Sequence, residues 1–258
     1  WLETPLSGFV LTTANGEELA LSEKEKVEIV QTVNRVNADR RLIIAGIDNP
    51  SQSETLRLAG RYAEAGVDLV RLRVPKELPP EAIEQYFESV TPRSPVPVVV
   101  IHQTFSNAPA APPEVLGAVC EHDNVFGYIT DADIRFENYV RALVPRDRRF
   151  WTCNGGLLAY GMLMGANGAC MWLGNVAPAL CTEIVQLGHD EQFAETRPLQ
   201  AVASRIDGTV IKHGLAAVKV ALDILGFEGM RPRSPGQALS AEAREEIRGV
   251  LIAAGLTD

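Results

Sequence analysis

"EAGVDLVRLRV", residues 64–74, joins two residue patterns without a pause. Small residues, Ala65 and Gly66, close a helical run, and Leu69 to Val74 follow at once as a strand. The same join recurs in "GANGACMW", residues 165–172. Working outward from these two points, strand-like apolar runs occur at Gly8 to Thr13, Leu42 to Ile47, Leu69 to Val74, Val96 to Ile101, Val125 to Ile129, Phe150 to Cys153 and Ala169 to Leu173. Each is followed by a polar turn and then a segment of helical periodicity. Such runs are apolar along their length rather than alternating, as strands covered on both faces are. The rhythm is βα repeated, and it predicts a parallel sheet wrapped by helices.

Helix starts agree with that reading. Ser22 and Glu25 have the spacing of a capping box, Ser53 precedes a run that stops at Gly66, and Pro113 stands where a first helical turn begins. Seven runs are one short of a (β/α)8 TIM barrel. The first begins a few residues after Trp1, so strand one is expected upstream of the chain given. An open doubly wound sheet is the alternative. Three further helical stretches follow, at 178–206, 212–227 and 240–256. The expected division is a barrel core over 1–178, then the final barrel helix with a C-terminal helical extension over 179–258.

Composition narrows the partners. The chain has 258 residues, 46% of them hydrophobic and 22% charged, which suits a large packed core. A formal net charge of −9 disfavours nucleic acid and anionic membrane as partners, since both select basic surfaces. Small molecules remain. Cys120, Cys153, Cys170 and Cys181 lie scattered in apolar surroundings without a CxxC pair, so they read as buried thiols. A cytosolic location is expected from them and from the lack of a signal peptide or an apolar stretch of spanning length.

"FVLTTANGEELALSEKEK", "LPPEAIEQYFESV", "VPVVVIH", "PPEVLGAVCEHDNVFGYI", "GANGACMWLGNVAP" and "SPGQALSAEAREEIRGVLIAAGL" follow one order over nearly the whole chain. In that order they resemble the dihydrodipicolinate synthase and N-acetylneuraminate lyase family, the class I pyruvate aldolases. The resemblance implies a TIM barrel, a lyase acting on an anionic 2-oxo acid or sugar acid, no cofactor, and a homotetramer or homodimer. It also implies an imine-forming lysine in a segment N-x-x-G-I-K-E. Here "NVFGYIT" places Ile129 at the lysine and Thr130 at the acid, and a one-residue shift would place Thr130 at the lysine instead. The family's relay tyrosine falls on Ile101, its two threonine-type hydroxyls on Ala14 and Asn15, and its carboxylate-binding arginine near Ser106. The tyrosine that a neighbouring subunit lends falls near Lys76 and Glu77. Gly16 and Glu17 are retained, which suggests a scaffolding turn.

An imine needs a nucleophilic amine, usually a lysine whose pKa is lowered by burial. Neither isoleucine nor threonine supplies one, so the standard mechanism is expected to be absent. Two residues are weighed as catalytic replacements: His102, since the unperturbed pKa of a histidine lies near neutrality, and Lys76, one of five lysines and the one at a strand tip. Against them stand a histidine that merely hydrogen-bonds and a solvated lysine beside Glu77. Thr13, Asn15, Thr130, Asp131 and Asn154 at the strand ends are expected to bind substrate. No metal site is assigned, although His102 with Asp131, Asp133, Asp48 or Glu17 has the ligand types for one. Arg71 and Arg73, two apart on one strand, share a face. On the barrel interior they could hold a dicarboxylate or sugar acid; on the outside they would pair with helix carboxylates. A catalytically silent relative that binds a ligand or serves as a scaffold is the alternative to an enzyme.

Overall fold

A computed structural model of the chain describes residues 1–103 and 109–258. Six strands form one parallel sheet: β1 (Gly8–Leu11), β2 (Leu42–Ile47), β3 (Leu69–Arg73), β4 (Val98–Gln103), β5 (Val125–Asp131) and β6 (Arg149–Thr152). Their order in the sheet is their order in the chain, β1-β2-β3-β4-β5-β6. A doubly wound sheet reverses its strand order at a switch point. The unbroken order overturns that alternative and leaves the curled, barrel-type α/β winding.

The seventh run, Ala169 to Leu173, does not form a strand. Ala169 makes a single bridge to Thr152, and the chain then turns into a short helix, Leu173–Val176. The physical reason lies in where its apolar residues go. Leu173 is fully buried among the C-terminal helices, and Trp172 packs against the same cluster rather than against the sheet.

The helices that return between strands are α1 (Glu23–Asn37), α2 (Gln52–Glu64), α3 (Pro80–Val90), α4 (Pro113–Glu121) and α5 (Ile134–Leu143). Ser22 and Glu25 close the expected capping box at α1: Ser22 N–H donates to Glu25 Oε2 at 2.8 Å, and Glu25 N–H donates to Ser22 Oγ at 3.3 Å. At α2 the cap is Ser51 rather than Ser53, because Ser51 Oγ accepts the N–H of Glu54. Gly66 ends that segment with φ +95, a conformation open to glycine.

After β6 come α6 (Leu158–Leu163), α7 (Leu173–Val176), α8 (Pro178–His189), α9 (Phe193–His213), α10 (Leu215–Ile224) and α11 (Ala241–Ala253). The first C-terminal stretch is thus two helices, broken at Glu191 with φ 58. No helix among the described residues is long and apolar enough to cross a membrane.

Alternation along the strands divides the apolar residues into two layers. Ile43, Ala45, Val70, Leu72, Val98, Val100, Tyr128 and Phe150 face the helices, where Tyr62, Tyr86 and Phe87 are also fully buried. Each fully buried Val, Leu, Ile or Phe among them contributes about 1.5–3 kcal/mol. Ile44, Leu69, Val99, Ile101 and Ile129 form a smaller cluster on the other, concave face. A third cluster, including Leu158, Ile184, Ile206, Ile247 and Leu251, holds α6 to α11 together.

Candidate functional site

The strand register decides which polar side chains can meet. Gly46 pairs with Arg71, Arg71 with Val99, and Arg73 with Ile101, which in turn pairs with Ile129. Since Val99, Ile101 and Ile129 lie on the concave face, Arg71 and Arg73 lie there too. The interior reading of the two arginines is therefore the correct one.

Their partners come from two strand-end loops. Arg71 Nη2 donates to Asp48 Oδ1 at 2.7 Å, and Arg73 Nη2 is 2.7 Å from Asp48 Oδ2. Arg73 Nη2 also reaches Glu18 Oε1 at 3.4 Å. Glu18 lies in the turn Glu18–Ala20 after β1, and Asp48 directly follows β2. Gly46 makes room for this arrangement. A Cβ there would lie 2.8 Å from Arg71 Nη2 and 2.8 Å from Thr13 Cγ2. Thr13 thus packs beside the cluster, while Asn15 is exposed in the loop.

The four charges are unequal in exposure. The Arg71 side chain is 3% exposed, Glu18 7%, Asp48 14% and Arg73 17%. Burial pushes the Glu18 carboxyl up to about 7, and the neighbouring Asp48 carboxylate pushes the same way, against the pull of Arg71 and Arg73. At neutral pH Glu18 is therefore poised between acid and carboxylate.

The other expected site residues divide by parity. Ile129 is fully buried on the concave face. His102 points the opposite way: its ring packs on Phe136 of α5 at 5.2 Å, and its Nε2 accepts the N–H of Ala110 at 3.0 Å. Burial holds its pKa down near 4, so it is a neutral acceptor at physiological pH. Thr130 pairs with His102 and is buried; with the expected Asp131 and Asn154 it lines a small cavity that also includes Glu137, Thr152 and Gly161. The charge of Asp131 reaches Cys153 and Cys170 beside the concave-face cluster as well as Tyr128 and Glu137 on the helix side. Asn154 is exposed, and its Oδ1 accepts the N–H of Gly156 at 2.9 Å. Asp133 caps α5 by accepting from Arg135 N–H. Lys76 is exposed beyond the end of β3. The position near Ser106 lies outside the described residues.

Glu17, retained from the family's turn, faces away from this cluster. Lys219 of α10 is 2.7 Å from its Oε2, and Arg233 N–H donates to its Oε1 at 2.7 Å. Burial raises its pKa, but these partners outweigh burial and leave it lowered. Among the described residues no three His, Cys, Asp or Glu side chains converge as a metal-ion site. The four cysteines are free, and burial raises the pKa of each thiol.

Two functional-site features were missed by sequence reasoning. Glu18 follows the recognised Gly16-Glu17 pair and carries no spacing signal of its own. Glu137 is buried under the tip of β5, where its carboxylate accepts from the N–H groups of Asp131 and Ala132 at 3.1 and 2.9 Å and from Tyr128 O–H at 3.0 Å. Burial nonetheless raises its pKa to about 7, against those three donors.

Comparison with known proteins places this geometry in context. The profile of the dihydrodipicolinate synthetase family matches residues 2–254. A probable mitochondrial 4-hydroxy-2-oxoglutarate aldolase of Emericella nidulans is 28% identical, over 94% of this chain and 82% of its own. A 4-hydroxy-tetrahydrodipicolinate synthase of Gluconacetobacter diazotrophicus is 26% identical, over 97% and 86%. Among solved structures, the dihydrodipicolinate synthases of Bacillus anthracis and Thermotoga maritima superpose with TM-scores of 0.91 each, both at 21% identity. The superpositions cover 98% of this chain and 88% of the first, and 99% of this chain and 89% of the second.

Proposed function

The chain belongs to the dihydrodipicolinate synthetase family, and from that premise we propose that it is a lyase-type protein that receives an anionic 2-oxo acid or sugar acid at the strand ends without forming a lysine imine. One observation carries the reading. Ile129, on the strand tip where the resemblance expects the amine, is hydrocarbon on the concave face. The five lysines lie elsewhere: Lys24 and Lys26 on α1, Lys76 beyond β3, Lys212 on α9 and Lys219 on α10. In place of an amine the concave face offers two guanidinium groups, whose planar donors suit a carboxylate.

Thr13 and Asp131 border that face and are the substrate-binding residues the reading retains. His102 and Thr130 are given a structural part, as struts between β4, β5 and α5. The four thiols support a reducing, cytosolic setting. A homotetramer or homodimer is carried over from the resemblance, and light scattering checks it.

The relatives' names suggest the first substrate to try. Incubation with 4-hydroxy-2-oxoglutarate and measurement of released pyruvate tests for cleavage, and calorimetric titration with pyruvate tests for binding. Binding with cleavage supports a lyase, and borohydride trapping then decides whether an imine is involved. Binding without cleavage favours the second reading, a catalytically silent ligand-binding protein, which the missing amine also supports. Absence of both contradicts the proposal.

A further inference from the structure

We propose that Asp48, Arg71, Arg73 and Glu18 form a proton-linked carboxylate site, in which an incoming carboxylate takes the place of Glu18 on Arg73 and Glu18 takes up a proton from solvent. This deepens the proposed function and rests on its premise that an anionic ligand reaches the concave face.

The contacts within the cluster are graded. Asp48 lies 2.7 Å from both guanidinium groups, whereas Glu18 reaches a guanidinium only at Arg73, at 3.4 Å, and hydrogen-bonds the Asp48 carboxyl on its other side. The Arg71–Asp48 pair is the buried foundation, and Arg73 is the more exposed of the two cations. Glu18 is thus the carboxylate more loosely held by the guanidinium groups, on the more accessible arginine, the position at which a ligand carboxylate can exchange with it. Arg71 Nε is buried without a hydrogen-bond partner, so the cluster holds donors beyond what its own carboxylates use.

Charge gives the exchange its direction. With both carboxylates ionised the cluster is neutral, two cations against two anions. With Glu18 protonated it carries one net positive charge, which a single ligand carboxylate neutralises. The groups facing Glu18 are Asp48 at the end of β2, Arg71 and Arg73 on β3, and the neutral Tyr62 phenol on α2. Asp48 and the ligand both disfavour an ionised Glu18, so binding raises its proton affinity. A 2-oxo acid stays ionised throughout this pH range, and His102 stays neutral, so neither supplies the titration.

The experiment is calorimetric titration of the full chain with pyruvate and with 2-oxoglutarate at about pH 6 and about pH 8.5. Two buffers of different ionisation enthalpy count the protons taken up. The expected result is affinity at least roughly tenfold higher at the lower pH, with uptake of up to one proton near pH 8. Glu18→Gln should bind at both pH values as the unaltered protein does at the lower one, with no uptake. Glu137 titrates in the same window but lies on the other side of the sheet, so it stays as an internal control in that variant. Arg73→Met should lose binding. Affinity independent of pH, or Glu18→Gln with an unchanged pH dependence, overturns the inference while leaving the proposed function standing. No carboxylate bound at either pH overturns both.

Discussion

Gly46 and Arg71 are register partners across β2 and β3, and the hydrogen atom that serves as the glycine's side chain is what admits the guanidinium. A methyl group at residue 46 would meet Arg71 Nη2 and Thr13 Cγ2 at 2.8 Å each and Thr12 O at 3.0 Å. The last is backbone and cannot swing aside. Gly46→Ala is expected to cost about 1–3 kcal/mol, the usual penalty for overpacking. Urea denaturation measures it; a stability equal to that of the unaltered protein would show that the cluster tolerates displacement.

Asp48 separates two cations that would otherwise share one wall. Its removal leaves a buried guanidinium without its anion, which typically costs about 3–5 kcal/mol. Asp48→Ala is therefore expected to be strongly destabilised. The double change Asp48→Ala with Arg71→Met should recover part of that loss, because the stranded cation goes with its partner. A double variant less stable than Asp48→Ala alone would contradict the assignment of Arg71 as the buried member of the pair.

Glu137 provides a pH test away from the cluster. Its folded pKa is raised to about 7, so the folded state holds the proton more tightly than the unfolded chain does. The stability this provides is complete below the ordinary carboxylate pKa and is lost as pH rises through about 7. Glu18 and Asp207, also raised, act in the same sense. Glu137→Gln keeps an oxygen for the N–H groups of Asp131 and Ala132 but cannot titrate. The fall in Tm between about pH 5 and pH 8 should shrink in this variant and not vanish. An unchanged fall would remove Glu137 from the account.

The fold was legible because it rests on repetition. Gly66 before Leu69, and the Ser22–Glu25 box before α1, each announce a boundary through local chemistry, and six such units in order leave little choice of topology. The seventh failed because Ala169 to Leu173 is apolar in a way that suits a helix cluster as well as a strand. The site was harder to read because strands covered on both faces lack the polar-apolar alternation that tells inside from outside. His102 and Ile101 look equally placed at a strand tip, yet one faces α5 and the other the concave side. Parity anchored on Ile129 would have sent His102 and Thr130 outward together. Glu18 required the third dimension, since only the fold brings the turn after β1 to Arg73, 55 residues away in the chain.

The proposal that no imine forms is tested most directly by reducing the protein with borohydride in the presence of pyruvate and weighing the intact chain. Hydride reduction fixes any carbon–nitrogen double bond between a lysine and the ketone as a stable secondary amine. The account predicts an unchanged mass, because the strand tip of β5 presents Ile129. A chain heavier by one reduced pyruvate, with peptide mapping placing it on Lys76 or any other amine, would contradict it.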